Sequence, residues 1–521
     1  MIALPRRREL LLEWICPLPL LAVTFLSGIL FGGAGWWFQP LAIAGVGLSL
    51  GAGVLSIGWK RDRLFLASPW LFLLVGLCGW AIVQIMPLPQ SIVGRISPVS
   101  YQVFAHGQAP IPLTDENSLL NHNDAANSRI TISLNRSTGL RRLLVLATGV
   151  GVFWFFGQWT DRQSKLIVLL AIVSILGSVN AAAAGLQLLD GSPGLFGLFQ
   201  PDQRMVIGPG WIDLARSPRM TELQLLKNTQ SGGVWAISES SSKGQLGILP
   251  GGFVSMLCLE SVCLPVMFGS LCFLAQRRGS RFELLERLRE RGYLGLTIVL
   301  LCSIFFASAL VGLASQWFLV LPALSGLLLV SFFCFRADIE RYFVAIGLFI
   351  SIAGLFAGFA LHQIWTGSHE SGFERIWTDL STFDIWLNDS LAIWRFSGWT
   401  GLGLGAYSGV VDYWQQSPMH FSNAPGGILQ LAIELGLPLI AAFGLAALWA
   451  IWRFFRIILN TDQEHRCLIG AVLGGGLGTF MAWLFLPGWE LPILVLLTAV
   501  MAGLADRTLC GAKDLYVEAW E

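Results

Sequence analysis

The chain has 521 residues, 55% of them hydrophobic and only 12% charged. A soluble domain carries about 25% charged residues, and a disordered one combines low hydrophobicity with high net charge, so both classes are excluded. The 33 basic and 32 acidic side chains leave a net charge of +1, which gives no electrostatic footprint for nucleic acid. What remains is a polytopic membrane protein, with a mean hydropathy of +0.66. Its 22 Trp and 34 Phe suit the two lipid–water interfaces.

Apolar runs of about 20 residues predict transmembrane helices. In chain order they are Ile15–Phe31, Leu41–Ile57, Pro69–Met86, Leu140–Phe156, Leu166–Leu186 and Ile248–Phe273, followed by Leu294–Leu313, Trp317–Phe335, Tyr342–Leu361, Ile428–Trp452, Cys467–Phe485 and Pro492–Ala505. The expected fold is therefore an all-α membrane bundle of about twelve spans. The basic N-terminus before Ile15 also resembles a signal peptide; an uncleaved first span is expected. Basic residues then orient the chain. Clusters such as Arg6–Arg8, Lys60–Arg63 and Arg277–Arg291 put 21 of the 33 on one side. The positive-inside rule makes that side cytoplasmic, both termini included. Three long loops, 87–138, 190–247 and 362–427, fall on the opposite side. Long structured loops on a rigid scaffold are where function concentrates.

None of the nine Cys lies in those loops, so no disulfide framework is expected. No Cys/His spacing fits a zinc site, and no Walker or dinucleotide motif occurs, so no metal or cofactor is expected. Glu260 and Glu434 are the clear charges inside predicted spans, and such charges should face the bundle interior.

The third loop is the most informative. Ile376, Leu380, Phe383, Leu387, Leu391 and Trp394 recur at helical spacing and predict an amphipathic helix. It is followed by Trp399-Thr400-Gly401-Leu402-Gly403-Leu404-Gly405, where alternating glycines permit a tight turn or a close approach. Gln430 and Glu434 are spaced i, i+4 and should share a helix face.

These segments resemble the bacterial O-antigen ligases and O-antigen polymerases, integral-membrane glycosyltransferases. Asp384 through Tyr407 is similar to the family's Trp-containing helix and Gly-x-Gly-x-Gly turn. Asn423 through Pro438 is similar to its Asn, Leu-Gln and Glu-Leu-Gly segment. Together, residues 384–438 carry the motif region. Pro87-Leu88-Pro89 with Ser97-Pro98 resembles the start of the family's first outer loop, and Ile132-Ser133-Leu134 with Thr138 resembles its end. The sequence departs from the family at Ser422, where His is usual, at Thr382, at Gln316, and at Gly251-Gly252-Phe253.

The resemblance implies a polyprenyl-diphosphate-linked glycan donor, a glycan or lipid acceptor, and a site at the outer face of the bacterial cytoplasmic membrane. The reaction needs a base for the acceptor hydroxyl, a role His fills near neutral pH. It also needs cations for the departing diphosphate, which Arg supplies bidentately. On this reading His420 is the base, with His369 in reserve, and Arg375 and Arg395 meet the diphosphate. Arg216 and Arg219 of the second loop, Asn423, Glu434 and Trp399 complete a substrate-binding set. Two other readings remain open: a non-catalytic component of a polysaccharide assembly or export system, and a lipid-linked glycan transporter. Ligase cannot be separated from polymerase by sequence.

Overall fold

A computed structural model describes residues 17–19, 43–49, 51, 68–107, 129–160, 163–190, 252–276, 291–313, 317–335, 341–366, 372–407, 410, 424–460, 466–485 and 492–511. The predicted runs Ile15–Phe31 and Leu41–Ile57 fall mostly outside these residues, as does the whole second loop.

Helix α1 (Pro69–Ile85) begins where its sequence says it should. Ser68 accepts a hydrogen bond from the Trp70 N–H, and Pro69 takes the first helical position, where a missing N–H costs nothing. Strand β1 (Leu88–Pro89) follows, then α2 (Gln90–Ile96), α3 (Pro98–Gly107) and strand β2 (Arg129–Ile130). The two strands pair antiparallel, Leu88 opposite Ile130, and so tie the start of the first loop to its end. Ser100 reinforces the tie by donating to the Ile132 carbonyl at 2.7 Å.

The bundle continues with α4 (Arg136–Trp159), α5 (Gln163–Asp190), α6 (Gly252–Gln276), α7 (Arg291–Leu313), α8 (Trp317–Phe335) and α9 (Arg341–Thr366). It ends with α10 (Gly372–Ser397), α11 (Gly427–Leu435), α12 (Leu437–Asn460), α13 (Arg466–Phe485) and α14 (Pro492–Gly511). Six of these helices, α4, α5, α6, α7, α12 and α13, are long and apolar enough to cross a membrane. The class is an all-α membrane bundle. Large apolar side chains on its surface, such as Phe72, Phe349, Phe356 and Leu448, suit hydrocarbon as a solvent.

Helix α6 is the axis, walled by α5, α7, α8 and α13. Its apolar stretch is 89% buried, whereas that of α12 is 11% buried. Close packing around the axis uses small residues, as helices in lipid require. A methyl group at Gly326 of α8 would strike the Pro265 ring of α6 and the Gly474 carbonyl of α13. Glu260, the predicted intramembrane charge on α6, is fully buried and accepts from Asn180 Nδ2 of α5 at 2.7 Å.

One expectation is corrected. Ile428–Trp452 is not one continuous helix: α11 ends at Gly436, whose φ of +78° breaks the helix before α12 starts. Hydropathy runs unbroken through that glycine and cannot register the break. The amphipathic helix forms, as α10, and from Asp384 onward its buried residues are Trp386, Asp389, Ser390, Ile393 and Ser397. Leu387, Leu391 and Trp394 of the expected stripe are only half-buried.

Candidate functional site

Four segments far apart in sequence meet at one junction: the end of α1, residues 131–138, the glycine turn 401–405, and the half-helix α11. The turn lies against the last turn of α11, whose terminal carbonyls would otherwise lack partners. Leu402 N–H donates to the Ile433 carbonyl at 3.0 Å and Gly403 N–H to the Glu434 carbonyl at 2.9 Å. On the other side, Leu134 N–H donates to the Leu402 carbonyl at 3.1 Å. Gln84 Nε2 of α1 closes the ring by donating to the carbonyls of Thr400 (2.7 Å) and Glu434 (3.2 Å).

Glycine is required here for two reasons at once. Gly401, Gly403 and Gly436 have φ of +73°, +94° and +78°, a region that side chains avoid. A Cβ at Gly403 would also land on Ser133, and one at Gly436 on the backbone of Trp399 and Thr400. The alternating glycines therefore serve backbone-to-backbone contact within the protein.

At the centre of the junction is Glu434, fully buried. Its Oε1 accepts from Arg142 Nη1 of α4 at 2.6 Å, in an ion pair whose Arg side chain keeps 13% exposure. The Tyr407 N–H and Gln430 Nε2 approach the same oxygen, each at 3.4 Å. The i, i+4 pair thus shares a face, as its spacing requires. Tyr407 continues the network to α10, its hydroxyl 2.9 Å from Ser390 Oγ. Burial pushes the Tyr407 phenol up, with the charges of Asp389 and Glu434 adding to the effect and the Ser390 hydrogen bond opposing it.

Of the expected site residues, only some come near this junction. Glu434 is at its core. Trp399 is at its rim, 53% exposed and stacked on Trp80 at 6.2 Å between ring centroids. Arg395 is exposed in the last turn of α10. Arg375 lies in the first turn of the same helix. Twenty residues separate the two, about 30 Å at 1.5 Å per residue. The two arginines therefore stand as separate candidates for the cation role. His420, His369, Asn423, Arg216 and Arg219 lie outside the described residues, as do Gln316 and Ser422. Among the described residues no group of three or more His, Cys, Asp or Glu could hold a metal ion.

Sequence reasoning missed Arg142 and Gln84. Both sit inside predicted apolar runs, Leu140–Phe156 and Pro69–Met86. The signal was available: a buried Glu434 demands a cation, and Arg142 is an arginine within a predicted span.

The fold and junction define a polytopic helical membrane protein with a polar junction built on a broken helix. No protein-family model, curated protein or solved structure matches the chain.

Proposed function

We propose that the chain is a multi-pass glycosyltransferase of the O-antigen ligase or polymerase type in the bacterial cytoplasmic membrane. In this reading about twelve spans cross the bilayer, both termini are cytoplasmic, and the loops 87–138, 190–247 and 362–427 face outward. There a glycan leaves its polyprenyl-diphosphate carrier for an acceptor hydroxyl. The observation that carries the reading is the junction. Both ends of the first loop, the glycine turn and the Glu434 half-helix are the segments on which the family resemblance rests, and they lie against one another.

The chemistry needs a base and a cation. The acceptor oxygen attacks the anomeric carbon while His420 takes its proton, and the bond to the diphosphate breaks with its electron pair going to phosphate oxygen. Arg395, close to the junction in sequence and exposed, meets that developing charge. Arg216 or Arg219 adds a second cation from the second loop. Trp399 offers an aromatic face to a sugar ring, Asn423 orders the chain before α11, and Glu434 fixes Arg142. One feature favours a non-catalytic scaffold in polysaccharide assembly instead: Glu434, Gln430 and Gln84 are fully buried, so the junction is closed.

The test uses cells carrying only the variant gene, with surface glycan as readout. His420→Ala, Arg375→Ala and Arg395→Ala are each expected to abolish transfer. Full activity in all three variants overturns the site. Unchanged surface glycan on deletion of the gene overturns the enzyme reading and leaves the scaffold. A cysteine in place of Ser417 should react with an impermeant thiol reagent in intact cells. Reaction only after the membrane is broken overturns the orientation.

A further inference from the structure

Between α1 and α12 runs an apolar groove of about 440 Å³, lined by Pro69, Trp70 and Leu73 on one side and by Leu445, Ala446 and Trp449 on the other. The Trp70 and Trp449 rings meet edge to face across it, 6.4 Å between centroids. One helical turn beyond Trp449 stands Arg453. Its guanidinium carbon is 5.7 Å from the Trp449 ring centroid and 5.3 Å from that of Trp452. Arg456 lies over the same Trp452 ring at 4.3 Å. Arg453 Nε is buried and has no hydrogen-bond partner among the described residues.

The same end of the bundle gathers further polar groups. Trp449 packs in one cluster with Ala505 and Leu509 of α14. Beside it, Asp506 accepts from Ser68 Oγ at 2.8 Å. Arg507 Nε is a second buried donor with no partner among the described residues.

An apolar slot that ends at guanidiniums held over indole rings has the shape and polarity of an amphiphile with an anionic head. Arg456 is exposed, and a phosphate oxygen would meet its guanidinium N–H groups. A guanidinium drawn over an indole ring still has N–H groups for bidentate contact with phosphate. Basic pockets between membrane helices bind anionic headgroups for this reason. We infer that this groove is a binding site for an anionic phospholipid, with one acyl chain between α1 and α12 and its phosphate on Arg453 and Arg456. The site is independent of the outward-facing junction and of any transfer reaction.

The experiment uses the purified full chain in nanodiscs of phosphatidylcholine containing a minor fraction of phosphatidylglycerol. Lipid retained after delipidation is read by native mass spectrometry. The chain is expected to retain phosphatidylglycerol at least tenfold over its fraction in the disc. Arg453→Gln with Arg456→Gln should abolish that preference. Ala446→Trp should abolish it too, by filling the groove while leaving both arginines in place. Equal retention of the two lipids by the unaltered chain overturns the proposal, as does undiminished preference in both variants. A third arm adds a polyprenyl phosphate in place of phosphatidylglycerol. Retention of that lipid alone overturns the phospholipid assignment. Should the double glutamine variant fail to fold, Ala446→Trp decides the matter.

Discussion

Glu434 has no exposed surface, so its charge depends on Arg142 standing 2.6 Å away. Taking either ion out of water costs several kcal/mol, and their attraction offsets this only in good geometry. Removing one partner is therefore worse than removing both. Arg142→Ala is expected to cost about 3–5 kcal/mol, measured as a lowered unfolding midpoint of the purified protein. Adding Glu434→Gln should recover most of that loss, because no charge is then stranded. A double variant no more stable than the single one would show that a stranded charge is not the source of the loss. Tyr407 makes a second, pH-dependent case. Its phenol is raised, chiefly by burial, so the folded chain keeps a proton that the unfolded chain loses near pH ~10. The stability it contributes is full below that pH and falls as pH rises above it. Tyr407→Phe should flatten the decline between roughly pH 9 and 11, and an unchanged slope would assign the alkaline transition to other groups.

Among the connecting elements, the glycine turn separates two effects that usually come mixed. Gly398 has a φ of +69° and open space around its would-be Cβ, whereas Gly403 has a φ of +94° and the backbone of Ser133 in the way. Gly398→Ala should cost only the left-handed penalty of about 1–2 kcal/mol. Gly403→Ala adds a clash that only movement of residues 131–138 can relieve, and it should lose more stability and gain protease sensitivity there. Equal losses would mean that the turn can move off Ser133. The contrast also explains what the sequence made legible. The apolar runs announced their helices because a backbone in lipid has few other ways to satisfy its hydrogen bonds. The Gly-x-Gly-x-Gly pattern announced a turn. It did not announce that the turn faces Ser133 and the end of α11, because partners beyond the local window leave no mark on local spacing. For the same reason Arg142 passed unnoticed as the partner of Glu434.

Across the whole molecule, stability is set by how tightly each helix is enclosed, and hydropathy reports nothing about that. Helices α6 and α12 both pass as membrane spans by composition, yet one is the axis and the other an edge. In lipid the transfer of apolar side chains gives little drive for association, so the axis must be held by close contact between backbones. Gly478 of α13 shows the consequence. A Cβ there would meet the Ser261 carbonyl of α6 and approach the Pro322 carbonyl of α8. Neither neighbour is a flexible side chain that can swing aside. Gly444 of α12 has nothing within 4 Å of the same position. Gly478→Val should therefore cost at least the ~1–3 kcal/mol of an overpacked core, and should shift detergent-solubilised protein toward aggregation. Gly444→Val, which only adds an apolar group at an open position, should fall within about 0.5 kcal/mol of the unaltered chain. Size-exclusion profiles and unfolding midpoints of the two variants, made in the same detergent, check this. If both variants behave alike, α13 is not locked against the axis and the bundle is held together by other contacts.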